Sequence, residues 1–153
     1  MRLAVRLLLA WFAFFGLAIG SWQQLAPQSF YDGFPGFGHH WVSPDGPYNE
    51  HLLRDVGQGN MAIGTVALVA LLTGGVWLAR ATGLAALVAN APAPALPPDA
   101  PGLLPTTTDR VWQTGTLTAV TVAAVALAVL AFRLPSRQPQ AEPVAKGGRA
   151  ERS

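Results

Sequence analysis

Residues 111–132 read VWQTGTLTAVTVAAVALAVLAF, and residues 56–79 read VGQGNMAIGTVALVALLTGGVWLA. Neither stretch contains a charged residue or a proline. About 20 apolar residues suffice to cross a hydrocarbon layer of roughly 30 Å, and both stretches meet that length. With no water in the layer, a spanning backbone must pair its own polar groups, and within one segment only a helix does so. The two stretches therefore predict transmembrane helices over about 110–133 and 50–79.

The rest of the composition agrees. Of 153 residues, 51% are hydrophobic and 12% charged, against roughly 25% charged in a soluble domain. The sequence pI of ≈ 9.7 goes with a net charge of only +2. The basic residues are scattered and form no stripe, which argues against a nucleic-acid partner. Cysteine is absent, so disulfides, thiolate chemistry and Cys-ligated metal sites are excluded.

Two further segments complete the pattern. Leu7–Ile19 (LLLAWFAFFGLAI) follows Arg2 and Arg6 and precedes Ser21-Trp22-Gln23-Gln24. The preferred reading is a retained span over about 3–20, with Arg6 snorkelling to the headgroups and Trp22 as an interfacial anchor. A secretory signal peptide cleaved near Ala18-Ile19-Gly20 is the alternative. Ala81–Leu96 opens as a good helix and then meets Pro92, Pro94, Pro97, Pro98 and Pro101. Proline removes a donor and clashes with the preceding turn, so regular helix should stop near Asn90 or Ala91.

Charge placement indicates that this third segment crosses. With four crossings and a cytoplasmic N-terminus, only Arg54 and Arg110 fall outside. Arg2, Arg6, Arg80, Arg133, Arg137, Lys146, Arg149 and Arg152 fall inside, as positive-inside bias requires. Asp32, Asp45, Glu50, Asp55, Asp99 and Asp109 then lie outside, and Glu142 and Glu151 inside. The expected protein is an all-α, multi-pass cell-membrane protein. It is a four-helix bundle over 1–133 with helices about 3–20, 50–79, 81–96 and 110–133. Residues 21–49 form an ordered extracytoplasmic loop, and both termini are cytoplasmic. The tail 134–153, punctuated by proline and charge, is expected to be disordered.

The loop and the helix openings around it carry the unusual residues: His39, His40, His51, Tyr31 and Tyr48 all lie there. Ser43-Pro44-Asp45-Gly46-Pro47 reads as a tight turn, and Asn49 as the N-cap of a helix that starts at Glu50. Glu50–Arg54 and His51–Asp55 are i,i+4 pairs, with Gln58 continuing the His51 face. Asn60 lies deeper beside Gly57, Gly59 and Gly64, where small residues admit close helix approach and an amide can bond across. Arg54-Asp55-Val56-Gly57-Gln58 parallels Asp109-Arg110-Val111-Trp112-Gln113, a faint internal repeat. The helix openings are expected to gather Glu50, His51, Arg54, Asp55, Gln58, Asn60, Asn90, Asp109, Arg110 and Gln113 in one polar mouth.

Ionisable residues near membrane depth are costly, which makes this mouth the candidate site. Its foremost reading is a salt-bridge network that fastens an acidic outer cap to the bundle. That reading makes a non-enzymatic protein, working through packing or through contact with a membrane-protein partner or a second copy. No cofactor is expected. Two alternatives remain open. One is a metal- or redox-dependent enzyme with His51 and Asp55 as transition-metal ligands. The other is a small transporter entered past Gln58, Asn60 and Gln113. Adjacent His39 and His40 point apart in extended chain and do not suit one shared ion.

Phe34-Pro35-Gly36-Phe37-Gly38, Trp41-Val42, Asp45-Gly46-Pro47-Tyr48-Asn49-Glu50-His51-Leu52 and Arg54-Asp55-Val56-Gly57 together resemble a family of small four-helix actinobacterial membrane proteins, broadly DoxX-like. The resemblance covers Phe34–Gly57 and implies the four-helix architecture. Relatives often carry histidines in the third segment, where this chain has Ala91-Pro92-Ala93-Pro94. The resemblance brings no particular activity.

Overall fold

The structure is a computed structural model that describes residues 1–90 and 106–135. The proline-rich part of the third segment, Asp99 with it, and the expected disordered tail from 136 onward lie outside the described residues.

Three helices are long and apolar enough to cross a membrane. They are α1 (Leu3–Leu25), α3 (Glu50–Thr73) and α5 (Thr107–Phe132), with mean hydropathies of 2.1, 1.5 and 2.2. A shorter apolar helix, α4 (Val76–Ala89), has 14 residues, about 21 Å at 1.5 Å per residue, which is short of the hydrocarbon thickness. The fold is thus that of a helical membrane protein.

Local chemistry sets most of the boundaries. Asn49 caps α3, its side chain accepting from the Leu52 N–H at 3.0 Å. Thr106 caps α5 in the same way, accepting from the Asp109 N–H at 3.0 Å. Satisfying these orphan donors fixes where each helix begins. At the other end, α4 stops at Ala89 with Asn90 as its C-cap, as the oncoming prolines require. Two expected boundaries need correction. The first helix runs on to Leu25 rather than stopping at Gly20, because Ser21–Leu25 contains nothing that breaks a helix. The second stops at Thr73 rather than Ala79, because Gly74 turns left-handed (φ 67°), a conformation that glycine adopts without steric cost. Gly75 then caps α4, which puts Arg80 inside α4 instead of at the end of a long span.

Between α1 and α3 the chain forms a small cap. It consists of α2 (Pro27–Gly33), the paired strands β1 (Pro35–Gly36) and β2 (His39–His40), and one 3-10 turn at Ser43–Asp45. Pro35 faces His40 and Gly36 faces His39 in antiparallel register. The tip Gly36-Phe37-Gly38 is left-handed throughout (φ 104°, 57° and 82°) and leaves Phe37 fully exposed. Under the cap, Trp22 of α1 meets Phe30 edge-on at 5.5 Å, and Phe30 lies 4.7 Å from Phe34. Tyr31 donates to the Gly46 carbonyl at 2.5 Å, tying α2 to the turn before α3.

The helices pack as two antiparallel pairs. In α1/α3, Gly16 lies against Gly64 and Gly20 against Gly57, so close that a Cβ on either α1 glycine would fall 2.7–2.9 Å from α3 backbone. In α4/α5, a Cβ on Gly83 would meet the Ala128 backbone at 2.7 Å. The buried core joining the pairs is mostly alanine and leucine: Leu9 and Ala13 from α1, Ala67 and Ala70 from α3, Ala79 from α4, and Leu127 and Ala131 from α5. It fills the end of the bundle away from the cap.

Candidate functional site

The cap is latched to α5 through Asp109, a residue of α5's first turn that is only 6% exposed. Thr106 Oγ1 donates to its Oδ2 at 2.6 Å. Trp41 Nε1 donates to Oδ1 at 3.2 Å, and His39 Nδ1 stands 2.7 Å from the same oxygen. A carboxylate only accepts, so Nδ1 carries the proton in this bond. Every donor here has a local reason to be in place. Thr106 is the helix cap. His39 and Trp41 are alternate residues running off β2, so both side chains project toward α5. A negative charge in the first turn also suits the positive end of the α5 dipole. His40 points the other way, its Nδ1 on the Asp32 carbonyl.

A second fastening joins α3 to α1. Arg54 pairs with Glu50 at 2.9 Å and also donates to the Gln24 carbonyl at the end of α1. Deeper, Asn60 Nδ2 donates to Gln23 Oε1 at 2.8 Å across the glycine contact, the cross-helix amide bond that the small residues permit. Next to Glu50, the phenol of Tyr48 is raised above its ordinary pKa, first by partial burial and then by the Glu50 charge. It stays neutral and packs on Tyr31 at 5.3 Å.

The expected single mouth is therefore corrected: its residues divide among several groups. Asp109 belongs to the latch. Glu50 and Arg54 belong to the α1/α3 fastening, with Asn60 beneath them. His51, Asp55 and Gln58 lie together on the exposed face of α3, pointing away from the bundle. His51 is 90% exposed and stands 3.6 Å from Asp55. Among the described residues no group of three or more His, Asp or Glu side chains is placed to hold a metal ion. Arg110 is exposed beside the latch without joining it.

Three amides from the expected mouth do converge. Asn60, Asn90 and Gln113 line one cavity of about 280 Å³ between α1, α3, α5 and the cap. Trp11, Phe12 and Phe15 of α1 form one wall, and Phe34 and Trp41 of the cap form the roof. The cavity sits directly beneath the latch, because Trp41 belongs to both. Thr121 Oγ1 donates to the Asn90 carbonyl at 3.4 Å. Thr118 turns back to its own helix, onto the Thr114 carbonyl.

Arg80 is a buried structural residue that sequence reading treated only as a topology marker. It is 9% exposed and donates to the Ala131 carbonyl at 3.2 Å and the Leu134 carbonyl at 2.7 Å. Its guanidinium also lies 4.6 Å from the Trp77 ring and 5.3 Å from the Phe132 ring. The charge thus caps the C-terminal carbonyls of α5. Its spacing of one turn from Trp77 was the available signal. Gly16 and Gly20 were likewise readable as a small-xxx-small pair.

Comparison with models of known protein families, with curated proteins and with solved structures finds no match.

Proposed function

We propose that this chain is a non-enzymatic membrane protein that acts by packing and partner contact, its cap held outside the cell as a rigid platform. The observation that carries the reading is the Asp109 latch. A buried carboxylate whose three side-chain donors come from its own helix cap, from β2 and from the residue just after β2 is engaged in holding the cap. Arg54, tied to Glu50 and Gln24, supports the same reading. Asp109, Glu50 and Arg54 are thus occupied with fastening. A cap fixed at α1, α3 and α5 is suited to presenting a constant surface to a membrane-protein partner or a second copy.

The proposal includes four crossings with both termini cytoplasmic, supported by the positive-inside distribution of Arg and Lys. It also includes a retained α1, supported by the burial of Leu9, Phe12 and Ala13 against the other helices. Kinship with the DoxX-like four-helix proteins, through Phe34–Gly57, belongs to the same proposal. The chain has no cysteine, so single cysteines test the sidedness directly. Phe37→Cys in intact cells should react with a membrane-impermeant maleimide, and Ser153→Cys should react only after permeabilisation. The opposite pattern, or labelling of both from one side, would overturn the topology. An Asp109→Asn chain with unchanged unfolding in detergent would overturn the fastening role.

A further inference from the structure

We infer that the cavity beneath the latch is a binding site for a small uncharged aromatic alcohol of the phenol class. Three features of its lining select that chemistry. The first is size: at about 280 Å³ it lies just below the usual range of small-molecule pockets, so it takes one ring with a short substituent rather than an extended lipid. The second is aromatic character. Trp11, Phe12, Phe15, Phe34 and Trp41 line it with aromatic rings from α1 and from the cap, partners that favour an aromatic ligand, edge-on or stacked, over a flexible acyl chain.

The third is hydrogen-bond polarity. Asn90 Nδ2 is already committed to the Ala86 carbonyl at 2.8 Å, and Asn60 Nδ2 to Gln23 Oε1 at 2.8 Å. One N–H of each amide is thereby used, and each still offers its carbonyl oxygen as an acceptor and its second N–H as a donor. Gln113 stands opposite on α5 and brings both an acceptor and a donor. A ligand that donates a hydroxyl proton and accepts one bond in return matches this set. A ligand with no donor would cover the amide oxygens without pairing them. The described lining residues include no ionisable side chain, and Asp109 and His39 are engaged with each other at the latch, so these residues offer a charged ligand no compensation for its desolvation. The inference does not depend on which side of the membrane the cap occupies, nor on the partner-contact reading.

The test uses the full chain in lipid nanodiscs and isothermal titration with 4-propylphenol and its donor-free counterpart, propylbenzene. The expected result is saturable, one-to-one binding of 4-propylphenol, at least tenfold tighter than propylbenzene. Gln113→Leu should bring the two affinities together by weakening the phenol about tenfold. Leu117→Trp, which fills the cavity from α5, should abolish both, with the helical circular dichroism of each variant unchanged. Equal affinity for the two probes in the parent chain would overturn the inference, as a plain apolar void filled by any oily molecule. So would binding that survives Leu117→Trp, which would locate it elsewhere in the lipid or protein, or no saturable binding at all. A failure here leaves the cysteine-labelling result untouched, so the two proposals fall separately.

Discussion

The two ends of the bundle are built on different rules. At the end away from the cap, alanine and glycine let backbones touch, and Gly83 against Ala128 leaves no room for a methyl group. One buried arginine closes that end by taking the carbonyls at and just past the end of α5. At the cap end α1 and α3 still touch through Gly20 and Gly57, but a cavity with large aromatic walls lies between them and α5. One buried aspartate closes it by taking donors from the cap. Helix α5 is therefore gripped at both ends by a charge that opposes its dipole, negative at the start and positive at the finish. The difference lies in what surrounds each grip. Close packing is unforgiving of added volume, whereas a roofed cavity tolerates volume but depends on the roof.

The comparison is broken most severely at the shared α1/α3 contact. In Gly20→Val the first added carbon would sit 2.7 Å from the Gly57 carbonyl oxygen, a backbone clash that no rotamer relieves. Stability against SDS-induced unfolding should fall by about 3 kcal/mol or more. An unchanged midpoint would mean that the helices can separate freely there. Next comes the closed end. Arg80→Leu strips two charge-assisted bonds from the carbonyls at and just past the end of α5 and should cost about 2 kcal/mol. Arg80→Lys should recover only part of that, because an ammonium does not reproduce the guanidinium fork.

The cap end should respond more gently. Asp109→Asn keeps the shape and loses the charge, at a cost of about 1 kcal/mol. It should shift Trp41 fluorescence toward that of an exposed indole as the roof loosens. If the Arg80 and Asp109 variants weakened α5 equally and neither moved Trp41, the two ends would not differ as described. The smallest effect belongs to the exposed α3 face. His51→Ala and Asp55→Ala should each lie within about 0.5 kcal/mol of the parent, with Arg54→Ala clearly larger because Arg54 also holds α1. That ordering sharpens the boundary between the fastened residues and the solvated ones.

Some of this was legible one residue at a time. The cap at Asn49 follows from side-chain chemistry within a few positions and is as read, and α4 stops at Ala89, just short of the Asn90 or Ala91 that the prolines led one to expect. The i,i+4 pairing of Glu50 with Arg54 is equally local. The end of α3 was misread because a long apolar run outweighed Gly74-Gly75 in a reading based on hydropathy, although the backbone turns there. The single polar mouth was misread for a different reason. Helix openings that look alike in sequence were assumed to face one another, whereas His51, Asp55 and Gln58 face outward.

The sequence by itself determined that this is a helical membrane protein. Hydropathy over about 20 residues is a sum of local transfer free energies and needs no partner to be read. Only the tertiary structure decided that His39 meets Asp109 across 70 positions, that Gly16 and Gly20 are the surfaces that α3 touches, and that three distant amides share one cavity. Contacts of that kind depend on the rotation of each helix about its axis. Small residues meeting backbone to backbone set that rotation, and no single segment contains the information.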